Sequence, residues 1–425
     1  MSENCMIKTT KLKSGLRVLT IPQDTTRTVT VLVLVGTGSK YETKRTNGIS
    51  HFLEHMFFKG TARRPTPFAI ASPIENVGGN FNAFTSQDLT GYYIKVDSAH
   101  LDTALDMVAD IYIHSLFPSK EIKKEKGVVA EEINMRKDTP MVHAQDLLEQ
   151  FLYGDQPAGW DVAGTKDTVT KLTRTDLLSY MNSQYVASNT LVVVAGNVKE
   201  KSVLRKVRGL FSGISKKKFQ EKLPVREFQK EPQVLLEYRK TDQTHLAFGA
   251  RGYSLSAKDR FVQDVIAAIL GGGMSSRLFS EVREKLGLAY YISSASESNP
   301  DTGMVATVAG IRNDNVEKAV KVFVKEFRKL GSKKVSAKEL RNAKDRLKGR
   351  TALSLESTDA KAEFYGIQEI LQGAFFTPEQ VYGKIEKVRA VDIQRVASMM
   401  FLPKNLSLVV VGPFTDKKKF YKHLL

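Results

Sequence analysis

The chain has 425 residues and a formal net charge of +18. Its length predicts two domains of roughly 200 residues each, and no apolar run reaches the roughly 18 residues that a membrane-spanning helix needs. The only cysteine, Cys5, excludes an internal disulfide; together with the lack of a secretory signal pattern, it favours a cytoplasmic location.

The first half of the chain begins with two predicted strands and a short helix. Residues 15–22 and Thr28–Val35 have the apolar, β-branched pattern of buried strands. The helix that follows carries an H-x-x-E-H array from His51 to His55. At about 100° per residue, the two histidines lie roughly 40° apart on one face, with Glu54 beside them. Two such imidazoles can bind one zinc ion, and the carboxylate can take a proton from water on the metal.

A catalytic zinc ion usually has three protein ligands and one open position. A later predicted helix carries Glu125 and Glu132, which are seven residues apart and therefore lie about 20° apart on one face. Glu131 points towards the solvent side of the same helix. This geometry favours Glu132 as the third ligand and Glu125 as an auxiliary carboxylate that orients the ligands. Without the histidines, the segment would be interpreted as an exposed helix with Glu and Lys pairs.

The second half repeats the plan of the first. Residues 189–196 and 405–412 are both valine-rich strands that end in glycine. A strand at 244–252 and a helix at 261–270 correspond to the strand Thr28–Val35 and the helix with the histidines, but they contain no H-x-x-E-H array. Only the first half is therefore expected to bind zinc in this way.

This repeat predicts the domain organisation. We expect a zinc-binding catalytic domain at residues 1–211, a linker at 212–233 that is rich in Lys, Glu, Gln and Pro, and a homologous metal-free domain at 234–425. Strands followed by helices in each half indicate an α+β fold. Each domain is predicted to be an antiparallel-rich sheet with helices packed on one face.

Over nearly its whole length the chain resembles the pitrilysin/insulinase family of zinc metallopeptidases, the inverzincins, which include the mitochondrial processing peptidases. The segments that carry the resemblance are GLRV at 15–18, GSKYE at 38–42, GIS at 48–50, the H-x-x-E-H array with Glu132 seventy-seven residues after it, FKGT at 58–61, GGNFNAFT at 78–85, LGGGMSSRLF at 270–279, Arg283 and GLAY at 287–290. One departure is Pro73, which predicts a kink in a helix that is regular in the family.

The resemblance implies a set of site residues. By that resemblance His51, His55 and Glu132 bind one Zn²⁺ per chain, Glu54 is the base and Glu125 assists. The resemblance also implies an edge strand that binds the peptide, with Asn82, Ala83 and Phe84 as its substrate-binding residues. Two further substrate-binding residues, Arg283 and Tyr290, would reach the zinc site of a partner subunit.

The fold and the partners also follow from the resemblance. The expected fold is the processing-peptidase/LuxS-like metallohydrolase fold of the half-length members, which implies a homodimer or a heterodimer with a related subunit. The function that we predict is a zinc-dependent metalloendopeptidase, a hydrolase whose substrates are short or unfolded peptides.

Three alternatives stay open. The chain could be a subunit that removes leaders or presequences together with a metal-free partner, or a non-catalytic scaffold subunit. The charge also admits a basic nucleic-acid-binding protein, although the lysines are spread along the chain without a nucleic-acid-binding motif, so no specific nucleic-acid partner is expected. Mn²⁺ or Co²⁺ could replace zinc at the predicted site.

Overall fold

The structure, a computed structural model, describes residues 7–425, so Cys5 lies outside the described residues. The chain forms two compact units. Unit 1 consists of the described residues of Met1–Ile133, with Trp160–Leu223 and Leu353–Phe376, and unit 2 consists of Asn134–Gly159, Pro224–Ala352 and Thr377–Leu425. Each unit therefore contains a segment from the other half of the chain.

The strands and helices of the described residues are numbered in chain order. The strands are β1 Lys8–Lys11, β2 Arg17–Pro22, β3 Thr28–Val35, β4 Asn80–Thr85, β5 Thr90–Asp97, β6 Thr190–Gly196, β7 Gln233–Tyr238, β8 Gln243–Arg251, β9 Ala289–Ser298, β10 Gly303–Arg312 and β11 Leu406–Gly412. The helices are α1 Ile49–Met56, α2 Pro67–Glu75, α3 Leu101–His114, α4 Ser119–Asp138, α5 Pro140–Tyr153, α6 Lys166–Lys171, α7 Arg174–Gln184, α8 Glu200–Leu210, α9 Arg260–Gly271, α10 Val316–Ser332, α11 Ala337–Ser354, α12 Thr358–Gln372, α13 Pro378–Glu386, α14 Ala390–Met400 and α15 Lys418–Leu424.

Each unit contains one mixed sheet. The order in unit 1 is β1-β2-β6-β3-β5-β4, and the order in unit 2 is β7-β11-β8-β10-β9. In both sheets one pair is parallel, β2 with β6 and β7 with β11, and every other pair is antiparallel. The last five strands of sheet 1 thus have the same arrangement as the five of sheet 2. The predicted α+β class and the repeat are confirmed.

Both faces of sheet 1 are buried. Val31 and Val33 of β3 pack in a core with α1, α3 and α4, whereas Leu32 and Leu34 pack with Ala362 on α12. Successive side chains of a strand point to opposite faces of the sheet. A strand whose residues are almost all apolar, such as β3, is therefore stable only where other elements pack on both faces. Most helices lie on one face, as predicted. Helix α12 covers the second face, for which no covering helix was predicted.

Sheet 2 has the same construction. Phe248 of β8 packs with α9 and α10, and the adjacent Ala247 packs with Leu148 and Leu152 of α5. The helix that covers the second face of each sheet thus comes from the other half of the chain. The predicted domain boundaries contain no such exchange, although the change from unit 1 to unit 2 at Leu223 and Pro224 falls inside the predicted linker. The boundaries 1–211 and 234–425 themselves stay a prediction.

One local expectation differs from the structure. A strand, β1, precedes the one predicted at residues 15–22. Helix α2 continues through Pro73 to Glu75, because the missing N–H affects one backbone hydrogen bond in its last turn. The kink predicted at Pro73 stays a prediction. Among residues 7–425, no helix combines the length and the apolar content that crossing a bilayer requires.

Candidate metal centre

The helix that carries the two histidines, α1, is fixed by its apolar face and by a cap. Ile49, Phe52 and Met56 are buried in the core of unit 1, because positions i, i+3 and i+7 share one face. The residue before the helix, Gly48, has φ of +94°, and a Cβ there would lie 2.5 Å from the Ala163 carbonyl oxygen. Glycine is therefore required at this position.

The side chain of Glu42 supplies the cap that Gly48 cannot provide. Its Oε2 accepts the backbone N–H of Gly48 at 2.7 Å and the amide of Asn47 at 3.0 Å, and its Oε1 accepts the N–H of Ser50 at 2.8 Å. A carboxylate at this position satisfies helix N–H groups and interacts favourably with the helix dipole. Glu42 thus positions the helix from which His51 projects.

The pH dependence of stability tests this buried cap. Burial raises the pKa of Glu42 from 4.5 to about 7, although its hydrogen bonds to Ser50, Gly48 and Asn47 lower it. The folded protein then holds the proton more tightly than the unfolded chain, so this stabilisation is complete below about pH 4.5 and is lost as the pH rises through about 7. We expect the metal-free wild type to lose about 3 kcal/mol of unfolding free energy relative to Glu42→Gln over this range.

Urea unfolding followed by Trp160 fluorescence measures this effect, because Trp160 is the only tryptophan of the chain and lies in unit 1. The two proteins are compared near pH 5 and near pH 8, with a chelator present. A difference between them that does not change with pH would contradict the prediction.

The three predicted ligands lie together. Nε2 of His51 is 3.4 Å from Oε2 of Glu132, and Nε2 of His55 is 3.5 Å from the same oxygen. One ligand atom from each of the three residues lies within 4.8 Å of the others. Helix α1 supplies the histidines and α4 supplies the glutamate, so the two helices enclose the point between the three atoms.

These distances fit a zinc ion. Two ligand atoms that are each about 2.0–2.1 Å from zinc at the tetrahedral angle lie roughly 3.4 Å apart. Two imidazoles and one carboxylate are also a ligand set typical of catalytic zinc, which keeps a fourth position for water. The donor atoms present therefore fit the metal that the sequence predicted.

Charges around His55 orient its ring. Its Nδ1 lies 3.1 Å from Oε2 of Glu125, whose Oε1 forms an ion pair of 2.8 Å with Lys59. Glu125 therefore fixes the tautomer in which Nε2 of His55 faces Glu132 and can bind a metal. Within the described residues, the structure gives Nδ1 of His51 no such partner.

In the absence of a metal ion, the same contacts favour the protonated imidazole of His55. Burial lowers the pKa of His55, but the hydrogen bonds to Glu125 and Glu132 and the nearby charge of Glu54 outweigh this and raise it to about 9. His51 and His55 hold the pKa of Glu132 well below its ordinary value. Because an imidazole must be deprotonated to bind a metal, metal binding at neutral pH releases a proton from His55.

The predicted base, Glu54, lies beside the ligands and is held by the edge strand. Oγ1 of Thr85, at the end of β4, donates a hydrogen bond of 2.6 Å to Oε2 of Glu54. β4 pairs with β5 alone among the described strands, so it is the edge of sheet 1 on this side. The structure thus joins the predicted base directly to the strand that the resemblance implies for substrate binding.

The three predicted residues of this strand have different orientations. Ala83 packs with the core on the α1 side of the sheet, whereas Phe84 packs with the core on the α12 side, over Gly91. The side chain of Asn82 is exposed and accepts the N–H of Ala83. The backbone of β4, rather than the side chains of Asn82 and Phe84, is therefore what this edge offers to a ligand near Glu54.

Arg283 and Tyr290, the other predicted substrate residues, belong to unit 2. Arg283 lies in a π-helical segment, Phe279–Lys285, and its guanidinium carbon is 4.9 Å from the centre of the Phe279 ring. Tyr290 lies on β9, the edge strand of sheet 2, and is 79% exposed. Their contribution to the metal centre stays a prediction.

Three supporting residues, Glu42, Lys59 and Thr85, were not predicted from the sequence. Glu42 accepts hydrogen bonds from residues only five to eight positions later, so a carboxylate shortly before the helix was the available local signal. Lys59 lies beyond the end of α1 at Met56, so helical spacing did not indicate its ion pair with Glu125. Thr85 is thirty-one positions from Glu54, and no local pattern joins these two residues.

Comparisons with known proteins identify the family of the chain. The sequence profile described as insulinase, peptidase family M16, matches residues 17–166, and the profile described as the peptidase M16 inactive domain matches residues 171–347. A protein of Bacillus subtilis described as an uncharacterized zinc protease is 36% identical over 96% of this chain and 98% of its own. Another uncharacterized zinc protease, from Streptomyces coelicolor, is 35% identical over 98% of this chain and 92% of its own.

Solved structures have the same fold. A protease from Helicobacter pylori superposes with a TM-score of 0.87 at 26% identity and covers 96% of this chain and 99% of its own. A peptidase M16 inactive domain from Pseudomonas fluorescens superposes with a TM-score of 0.88 at 20% identity, over 96% of this chain and 98% of its own, and shows the likeness of fold alone. With profiles matched in both halves and relatives matched along nearly the whole chain, this protein belongs to the insulinase family of peptidases, peptidase family M16.

Proposed function

We propose that this protein is a zinc-dependent metalloendopeptidase that hydrolyses peptide bonds of short or unfolded peptides. The observation that carries the proposal is the convergence of three potential zinc ligands, His51, His55 and Glu132. Beside them lies the carboxylate of Glu54, which is not part of this cluster and accepts a hydrogen bond from Thr85. The relatives described as zinc proteases support it. The location that we propose is cytoplasmic, which rests on the single cysteine.

The roles of the residues follow from their contacts. His51, His55 and Glu132 would hold one zinc ion per chain, which lowers the pKa of a coordinated water towards about 7. Glu54 accepts a proton from the attacking water and delivers it to the leaving amine. Thr85 holds the carboxylate of Glu54 in place through one oxygen, which leaves the other for this transfer. Glu125 keeps His55 in the metal-binding tautomer.

The edge strand suggests how a peptide is held. The free side of β4 offers backbone N–H and C=O groups next to Glu54, so a peptide can pair with it as an added strand. Such pairing uses the substrate backbone, tolerates many side chains and requires an extended chain. Folded proteins present few such segments, which is why we propose short or unfolded peptides as substrates.

Zinc content and cleavage of an unstructured peptide, such as the insulin B chain, test the proposal. We expect wild type to contain about one zinc ion per chain and to lose cleavage when a chelator is added. Glu132→Gln should lose at least tenfold in zinc affinity, because a neutral amide is a poor zinc ligand, and should not cleave the peptide. The matched control is Glu131→Gln, an exposed neighbour on α4 that should behave like wild type.

Three results would contradict the proposal. The first is a wild-type protein that binds no zinc, and the second is an equal loss of zinc in Glu131→Gln and Glu132→Gln. The third is zinc binding without cleavage of any unstructured peptide, which would contradict the peptidase activity but not the metal centre.

We further propose that the active form is a dimer, a homodimer or a heterodimer with a related subunit, in which Arg283 and Tyr290 act on the partner's metal centre. The exposure of Tyr290 and its position on an edge strand support a role in contacts beyond its own unit.

Subunit mixing tests this arrangement in the homodimer. Arg283→Ala and Glu54→Gln chains are co-expressed with different tags and purified on both. If Arg283 acts on the partner, each mixed dimer has one complete site and should recover about half of wild-type activity. If Arg283 acts within its own chain, neither site is complete and the mixed dimers stay inactive. A fully active monomer would also contradict the proposal.

A further inference from the structure

Unit 2 contains a cavity of about 310 Å³ at a position related to the metal centre by the internal repeat. The metal centre is formed by α1 and α4, with the end of β4 beside them. The cavity is lined by α9, α11 and β9, with α13 closing one side. In chain order and sheet position, α9 corresponds to α1, β9 to β4 and α11 to α4.

The chemistry of the cavity differs from that of the metal centre. Phe261, Asp264 and Ala268 lie at i, i+3 and i+7 of α9 and face the cavity, and none of its lining residues is a histidine. Oδ1 of Asp264 accepts a hydrogen bond of 2.6 Å from Ser296 on β9. Among residues 7–425, the structure shows no hydrogen bond to its other oxygen, Oδ2, although Arg260 interacts electrostatically with the carboxylate.

Two arginines one turn apart on α11 supply the opposite charge. Arg346 lines the cavity and is held in place, since Nη1 donates to the Gly272 carbonyl at 2.9 Å and Nη2 to Oγ of Ser275 at 2.7 Å. Arg350 also lines the cavity but is exposed. The cavity thus contains a carboxylate on α9 and a cationic side on α11.

The remaining lining is largely apolar. Leu347 on α11 and Val381 and Ile385 on α13 contribute aliphatic groups, and Ala267 and Ala268 leave space beside Asp264. A volume of about 310 Å³ lies at the lower end of the roughly 300–1,000 Å³ of small-molecule sites. The cavity therefore suits a small ligand with one cationic group, one anionic group and an apolar part.

We propose that this cavity binds a free α-amino acid with an apolar side chain. The ammonium group would donate to Asp264, the carboxylate would pair with Arg350, and the side chain would pack on Leu347 and Ile385. Burial raises the pKa of the Asp264 carboxyl, although Ser296 and Arg260 lower it, and an ammonium partner would supply the compensating charge for its ionised form. The proposed peptidase activity plays no part in this argument.

Calorimetric titration of wild type with leucine, leucinamide and N-acetylleucine tests the proposal. Leucine should bind saturably, and each analogue should bind at least about tenfold more weakly, because each lacks one of the two charges. Glu132→Gln should bind leucine like wild type, which separates the cavity from the metal centre.

Two variants assign the charges. Asp264→Asn should weaken leucine about tenfold and leave N-acetylleucine unchanged, since that analogue has no ammonium group. Arg350→Gln should weaken leucine and leave leucinamide unchanged. Lack of saturable binding to wild type, equal binding of all three ligands, or loss of leucine binding only in Glu132→Gln would each overturn the proposal. An unchanged thermal midpoint of each variant shows that it is folded.

Discussion

Replacing Glu54 by glutamine is expected to lower kcat for peptide cleavage by about 10²–10⁴-fold, the usual contribution of a general base. Glutamine has nearly the same shape, and its amide oxygen can still accept the hydrogen bond of Thr85. It cannot accept a proton from water at neutral pH. Because Glu54 is not one of the three clustered ligands, the variant should still contain one zinc ion per chain.

This combination distinguishes a base from a ligand. Glu132→Gln should lose both zinc and activity, whereas Glu54→Gln should lose activity alone. Metal analysis and initial rates with the insulin B chain, on the same preparations, measure both quantities. A Glu54→Gln protein that lacks zinc, or one that keeps wild-type kcat, would rule out the role that we assign to Glu54.

Thr85→Val extends the test to the residue that positions the base. Valine keeps the β-branched shape at the end of β4 but removes the donor to Glu54. We expect kcat to fall by about tenfold, a smaller loss than in Glu54→Gln, because one hydrogen bond to a charged group is lost while the base remains. A change in KM alone would instead place Thr85 in substrate binding.

The core of the metal centre could be predicted because it depends on local helical geometry. His51 and His55 face the same way on any helix, and so do Glu125 and Glu132, wherever the two helices lie. That the two helices face each other followed from the resemblance to a family. The hydrogen bond of Thr85 to Glu54, across thirty-one positions, depends on how β4 packs beside α1, and periodicity contains no information about that contact.

The exchange of helices between the two halves of the chain could not be predicted, for the same reason. The apolar runs of β3 and β6 are typical of strands buried on both faces, although helices were predicted on one face only. They did not indicate that α12, more than 300 residues later than β3, is the cover. One hydrogen bond of 2.9 Å joins the hydroxyls of Thr30 and Thr358 across that contact, and two threonines have no distinctive sequence signal.

The largest stability effect is expected at a buried ion pair in unit 1. Nζ of Lys40 donates to Oδ2 of Asp88 at 2.9 Å, and both residues are 2% exposed. Lys222 pairs with the other oxygen of the same carboxylate. Asp88→Asn removes the negative charge that pairs with the buried ammonium of Lys40, which costs about 3–5 kcal/mol of unfolding free energy.

The matched control is Asp167→Asn. Asp167 pairs with Lys171 on α6, and the side chains are 72% and 67% exposed, so its loss should cost less than about 1 kcal/mol. The double variant Lys40→Met with Asp88→Asn removes the buried ammonium as well as the carboxylate, and should recover part of the loss, because the ion pair of Lys222 with Asp88 is still lost. Urea midpoints from Trp160 fluorescence, at an unchanged m-value, report these differences for unit 1. Equal costs for Asp88→Asn and Asp167→Asn would show that burial does not decide the strength of this pair.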